Sequence, residues 1–310
     1  MTRITALAAS RFLRGVAPLA ALLLVLVVCI APAAAKDGGF THGLLWRIEA
    51  AGAAPSWLFG TMHSSDAAIA TPPPALQRIL DGAASLTIEL VMDEAANMAM
   101  ARATLLPEGR LLGDIAGAER FRRIADTAAR YGMPGDALHR FRPWALQMVF
   151  SLPPAEMQRQ ATGAPFLDKV LQTRAAERGI PVYGLETVEE QLAALAGASE
   201  EEQLVLLDAA MVLNPEIDII FEDLKRLYLA QDLAGMYRMS EDMTGGAPRE
   251  LVDAYTERLI QDRNRRMADR VAARLAEGNA LIAIGALHLY GEDGVLGLLS
   301  ARGYKVTRVE

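Results

Sequence analysis

Apolar positions along this chain gather into six short runs, each long enough for one buried strand: Leu44 to Ile48, Trp57 to Thr61, Ser85 to Leu90, Pro181 to Leu185, Ala280 to Ala286 and Tyr304 to Val309. Between them the apolar residues recur at helical spacing. The pattern predicts helices over Pro74 to Ala83, opened by a run of prolines, and over Ala118 to Tyr131, closed by Gly132. Further helices are predicted over Phe166 to Arg178, Ser199 to Leu213, Phe221 to Tyr237 and Arg249 to Glu277, with a short last one at Gly294 to Ala301. Gly278-Asn279 follows the long sixth candidate as a helix stop should. Strand–helix alternation at both ends around a long helical middle predicts an α/β fold, a central sheet with flanking helices and a helical insertion. No short-period repeat interrupts it.

The first 35 residues follow a different rule. Arg3, Arg11 and Arg14 stand without any acidic neighbour, Leu19 to Ala31 is unbroken apolar sequence, and Ala33-Ala34-Ala35 forms a small-residue exit. That layout predicts a secretory signal peptide over 1–35, cut before Lys36, with a domain over 36–310. Export to the periplasm or outside the cell follows. The alternatives are an uncleaved anchor over Gly15 to Ala35 and a lipid anchor on Cys29, the only ways this chain would meet a membrane.

Setting the leader aside sharpens the composition. With 52% hydrophobic and 22% charged residues there is ample apolar surface for a core. The leader takes three of the 31 Lys and Arg and none of the 38 Asp and Glu, so the remainder carries 28 against 38, net −10. An acidic chain with no basic cluster predicts no nucleic-acid partner. Cys29 is the one cysteine, so a cleaved chain would have no disulfide, thiolate nucleophile or sulfur ligand. Catalysis, if any, falls to His, carboxylates, hydroxyls and Arg.

Two stretches share one plan: Phe59-Gly60-Thr61-Met62-His63 and Ile284-Gly285-Ala286-Leu287-His288 each run from an apolar strand through Gly-x-x-His. Two other strands end in glutamate, Thr87-Ile88-Glu89 and Gly184-Leu185-Glu186. Ligands of open α/β sheets bind beyond the carboxyl ends of the strands. Glycines at 60 and 285 would let the backbone turn there. Two imidazoles and one or two carboxylates meeting at such an edge suit a divalent transition metal with a position left for water. Each Gly-x-x-His taken alone is a common accident, and Glu186 has a second reading as a helix N-terminal charge ahead of Thr187-Val188-Glu189-Glu190.

The Arg249 to Glu277 stretch adds Arg263 and Asn264. Arg263 lies four residues from both Leu259 and Met267, on the apolar face, and Asn264 stands likewise between Ile260 and Ala268. An inward Arg pairs with a carboxylate or steadies an anion, unless it reaches out to solvent along its stem. His139 reads as structural and His42 as exposed. Ser64 and Ser65 lack the marks of an elbow nucleophile.

These residues resemble the TraB/GumN family, which includes the Tiki proteases and pheromone-shutdown proteins. Leu58 to His63 looks like its first signature, Gly184-Leu185-Glu186-Thr187 with Gln191 its central one, Arg263-Asn264 its helical pair, and Gly285 to Gly291 through Val306 its last block. The resemblance spans Leu44 to Val309, with little signature between Met92 and Leu138. It implies a central mixed sheet of the erythromycin-esterase/ChaN-like kind. By resemblance to the Tiki branch it implies a metal-dependent peptidase using a divalent ion (Mn, Co or Zn). His63, Glu89 and His288 would hold the metal, Glu186 act as base, and Arg263 with Asn264 support catalysis. The substrate would be a peptide or small molecule. Two other readings stay open: metal-independent, esterase-like hydrolysis, and non-catalytic capture of a peptide or haem-like ligand, for which the methionines at 92, 98, 100, 133, 148 and 157 would offer an adaptable surface.

Overall fold

A computed structural model describes residues 39–309. The expected signal peptide lies outside the described residues. Among those described, no helix is long and apolar enough to cross a membrane.

All six apolar runs form strands of one mixed sheet: β1 (Leu45–Glu49), β2 (Ser56–Thr61), β3 (Ser85–Ile88), β4 (Val182–Gly184), β5 (Ala280–Gly285) and β6 (Lys305–Arg308). Their order across the sheet is β4-β3-β5-β2-β1-β6. Strands β4, β3, β5 and β2 are parallel, while β1 runs antiparallel to both β2 and β6. Strand β5 has partners on both sides and every residue buried, as a continuous apolar run in a parallel sheet should. The register places Thr61 opposite Gly285, Ile88 opposite Ala283, and Ile88 opposite Gly184. The carboxyl ends of the four parallel strands therefore share one rim.

Helices fill the two long connections. Between β3 and β4 lie helices that include Glu94–Ala103, Leu112–Ala129, Pro143–Phe150, Pro154–Ala161 and Leu167–Glu177. Between β4 and β5 run Val188–Ala196, Glu200–Leu213, Ile217–Leu229, Leu233–Asp242 and the long Arg249–Glu277 stretch. Four of these were not predicted: 94–103, 143–150, 154–161 and 188–196. Pro143–Phe150 is buried on every side, so it shows no polar stripe from which a period could be read. The helix expected from Ala118 starts earlier, at Leu112, but breaks at Gly117, whose φ of +76° is non-helical.

Two predicted single helices are divided. Phe221 to Tyr237 splits where Gln231 takes φ +58°, and Asp232 caps the second helix by accepting from the Gly235 amide. Arg249 to Glu277 contains a wide π turn at Glu257–Gln261, in which the Asp262 amide bonds five residues back to Glu257. Beyond that turn Met267, Ala268, Val271 and Leu275 are buried against the sheet and the Val295–Ala301 helix. Each large apolar side chain so buried contributes about 1.5–3 kcal/mol. The helix ends at Gly278, whose φ is +77° and whose missing Cβ would sit 2.8 Å from the Ala54 amide nitrogen.

Gly60 and Gly285 do not turn the chain by unusual backbone angles. Neither has positive φ. At Gly60 the requirement is close approach: a Cβ there would lie 2.7 Å from Leu289 and 3.2 Å from the Ala286 backbone. Three of the six methionines are buried in the core (Met92, Met100 and Met148), and Met133 and Met157 pack against it. Of these six methionines only Met98 is exposed.

Candidate functional site at the carboxyl rim of the parallel strands

Each parallel strand delivers one ionisable side chain to the shared rim. His63 follows β2 by two residues, Glu89 follows β3 directly, Glu186 follows β4 by two, and His288 closes the 3-10 turn Ala286–His288 after β5. All four are buried, His288 completely.

Arg263 ties the two glutamates together. One of its Nη groups donates to Glu89 Oε2 at 2.6 Å and to Glu186 Oε2 at 2.8 Å, and its Nε donates to both Glu186 oxygens at 2.9 and 3.1 Å. Its other Nη donates to the Leu259 carbonyl within the π turn, 3.2 Å away. Arg266 adds a bond to Glu186 Oε1 at 2.8 Å, and Gln191 donates to Oε2 at 3.2 Å. Arg263 is 1% exposed, so the reading in which it reaches solvent is overturned. Two carboxylates facing two guanidinium groups make a nearly neutral buried cluster, the condition under which such charges are tolerated. Burial works against the Arg263 cation, but Glu89 and Glu186 outweigh it and raise its pKa.

Glu186 is consequently not the N-terminal charge of the following helix. Thr187 caps that helix and Glu190 completes the capping box, while Glu186 points into the cluster.

Glu89 has a different balance. Its Oε1 accepts from the Gly285 amide at 2.6 Å and its Oε2 from Arg263. Burial still dominates and lifts its carboxyl above the usual range, against the pull of Arg263 and His63.

His288 is oriented from behind. The Asn264 amide donates to the Asp293 carbonyl at 2.9 Å, which turns its oxygen towards the ring; His288 Nδ1 donates to that oxygen at 2.7 Å. The proton is thereby fixed on Nδ1 and the lone pair on Nε2. Burial and then the nearby Arg263 hold the imidazole neutral, its pKa well below the ordinary value. Nε2 has no hydrogen-bond partner and lies 3.8 Å from Glu89 Oε1. His63 is packed on Phe166, ring centroids 4.9 Å apart, and its Nδ1 is likewise unpartnered.

Two buried carboxylates near the rim fall outside the sequence motifs. Asp168, in the first turn of Leu167–Glu177, is 5% exposed and sits 3.7 Å from His63 Nε2. It was legible by the argument that singled out Arg263: Leu171 and Ala175 follow at three and seven residues, so Asp168 belongs to the buried stripe. Glu156 is fully buried and holds the loop after His63, accepting from the Ser65 amide at 2.6 Å and Ser64 Oγ at 3.0 Å. That leaves Ser64 in a structural task. His139 stacks on Phe121 and His42 is exposed beside Asp232, both away from the rim.

A small opening of about 30 Å³ at the rim is lined by His63, Glu89, Met92, Phe166, Asp168 and Gln191, among others. Arg263, Glu186 and His288 do not line it. The roles of oxyanion support for Arg263 and general base for Glu186 are therefore not what their positions favour: every polar atom of the guanidinium faces the protein.

Among the described residues, no three or more His, Cys, Asp or Glu are arranged to hold a metal ion. The expected ready-made set of His63, Glu89 and His288 is not found, because Glu89 is drawn to Arg263 and the Gly285 amide. The donor chemistry nevertheless fits such an ion: two buried imidazoles each keep one nitrogen unpartnered, and Asp168 Oδ2 is a buried carboxylate oxygen without a hydrogen bond.

A mixed sheet with titratable side chains collected beyond its parallel strands defines an α/β protein with a small polar opening at the sheet edge. The chain belongs to the TraB/PrgY/gumN family, whose sequence pattern matches residues 44–308. It is similar to the Metalloprotease TIKI2 of Danio rerio, 26% identical over 90% of this chain and 62% of that protein. The Metalloprotease TIKI2 of Xenopus tropicalis is also 26% identical, over 86% of this chain and 59% of its own length. The human Metalloprotease TIKI1 is 30% identical over 54% of this chain and 37% of its own. The chain thus spans about three-fifths of the length of the first two relatives. No solved structure matches it.

Proposed function

We propose that this chain is an exported, periplasmic or secreted hydrolase that cleaves peptides with the help of a divalent transition metal, in a fold shared with the erythromycin-esterase/ChaN-like group. The observation that carries the reading is a set of buried, unpartnered polar atoms beyond the parallel strands: His63 Nδ1 and Asp168 Oδ2 at the opening that Glu89 also lines, and His288 Nε2 on the far side of Glu89. Buried polar atoms without partners are rare and concentrate where a ligand completes them. The similarity to metalloproteases adds support.

In this reading His63, His288 and one carboxylate of the opening hold the ion. When bound, such an ion polarises a carbonyl and lowers the pKa of a water to about 7. Asn264 fixes the His288 tautomer, so that Nε2 always offers its lone pair. Glu89 lines the opening, as Glu186 does not, and would be the carboxylate placed to accept a proton from a water held there. Arg263 is a positioning residue: it anchors Glu89 Oε2 while Oε1 remains on the His288 side.

The test is cleavage of a peptide library by the purified protein with manganese, cobalt or zinc. Activity is expected to fall at least 100-fold in His63→Ala and in His288→Ala. Equal cleavage by His63→Ala, or none with any ion, overturns the proposal. A metal-independent hydrolase is the second reading, favoured by the absence of a gathered ligand set among the described residues. Full activity after chelation, with metal-free protein confirmed by elemental analysis, selects it.

A further inference from the structure

The proposed reading leaves open which carboxylate joins the histidines. Four buried acidic side chains lie at or behind the rim, and three are spoken for. Glu186 accepts from Arg263, Arg266 and Gln191. Glu89 accepts from Arg263 and the Gly285 amide. Glu156 accepts from Ser64, the Ser65 amide, Arg159 and Gln160. The fourth is Asp168. Its Oδ1 accepts from Thr61 Oγ1 at 3.0 Å, and its Oδ2 has no hydrogen-bond partner although the residue is 5% exposed.

A buried carboxylate oxygen without a donor is unfavourable and calls for a physical reason. The neighbouring cation does not supply one: Lys169 is turned away, its Nζ donating to the Met92 carbonyl at 3.2 Å, where Gln172 donates too. His63 Nε2 does not supply one either, since 3.7 Å is beyond hydrogen-bond reach. Asp168 lines the same opening as His63 and Glu89. Its bond to Thr61, the last residue of β2, fixes it relative to the strand that carries His63.

We infer that Asp168 is the carboxylate ligand of the metal, working with His63, with which it lines the opening. The inference rests on the metal-dependent reading above and moves the ligand role from Glu89 to a residue on the helical insertion. Imidazole nitrogens with one carboxylate oxygen form a donor set suited to cobalt, manganese or zinc.

Titration of the metal-free protein with cobalt chloride, followed by visible absorption and calorimetry, tests it without relying on activity. Asp168→Asn keeps an oxygen for Thr61 but loses the anionic donor. It is expected to weaken cobalt binding at least tenfold and to alter the visible band. Thr61→Val removes the bond to Asp168 but keeps the carboxylate, and should stay within threefold of wild type. If Asp168 only braces the end of β2, the two variants will behave alike, which refutes the assignment. If Asp168→Asn does not fold, Asp168→Glu, with charge kept and the oxygen displaced, is expected to bind at least fivefold more weakly. Unchanged cobalt affinity in either Asp168 variant overturns this inference alone. A wild type that takes up no cobalt, manganese or zinc overturns the metal reading with it.

Discussion

The two halves of the rim are built on opposite terms. On the β3–β4 side, Glu89 and Glu186 are saturated with hydrogen bonds from Arg263, Arg266, Gln191 and a backbone amide. On the β2–β5 side, His63, His288 and Asp168 each leave a buried polar atom without a partner. A saturated charge cluster is rigid and expensive to break, while an unsatisfied one is costly to keep and is retained where a ligand or reaction uses it. Labour is divided accordingly: Arg263 and Glu186 set geometry, the histidine side meets the ligand, and Glu89 stands between the two, anchored by Arg263 and lining the opening.

The largest test of that division is Arg263→Leu. Removing the guanidinium leaves two buried carboxylates facing each other, and urea unfolding should show a loss of about 3–5 kcal/mol. A loss below about 1 kcal/mol would mean that the carboxylates are readily neutralised, and the contrast between the halves would disappear.

The pH dependence sharpens the histidine side. His288 is held neutral in the fold, its pKa well below 6.5, so below about pH 6.5 the unfolded chain binds more protons and stability falls as pH falls. Glu89 runs the other way. Its raised pKa lets the folded state take up a proton first, so its contribution grows as pH drops towards 4.5. Comparison with His288→Asn in chelating buffer isolates the histidine. Between pH 7 and pH 5 the wild type is expected to lose about 2 kcal/mol more than the variant. Parallel pH curves would show that His288 is protonated in the fold.

The smallest effect belongs outside both halves. Glu190 caps its helix and pairs with Arg270, which holds its carboxyl down to about 2. Being near the surface, its replacement by Gln should cost about 0.5–1 kcal/mol in the same unfolding assay and leave cobalt binding unchanged. A larger loss would mean that the Glu186 cluster extends out to the surface.

Much of the scaffold can be read from the sequence because each strand falls within a short apolar run, most plainly β5, which is buried along its whole length between two parallel neighbours. The rim residues are visible for the same reason, since a charge ending such a run stands out. Asp168 is harder to see: a carboxylate in the first turn of a helix is ordinary on a surface, and only its spacing to Leu171 and Ala175 marks it as buried. Glu156 gives even less signal, because its buried helix neighbour is Gln160, which looks equally solvent-bound. The bond from Arg263 to both glutamates depends on a meeting of segments 77 and 174 residues apart, which no local pattern encodes.

The π turn at Glu257–Gln261 joins two helical segments with separate obligations. Before it, Val252 and Tyr255 face inward, and Tyr255 accepts from Gln147 of the helical insertion. After it, Met267, Val271 and Leu275 lie on the sheet while Arg263 and Asn264 reach the rim. The extra residue works as a phase adapter, since each residue of a regular helix advances its faces by roughly 100°. A lineage that lost one codon here would have to misalign one segment or the other, and could disarm the cleft with every chemical residue still in place.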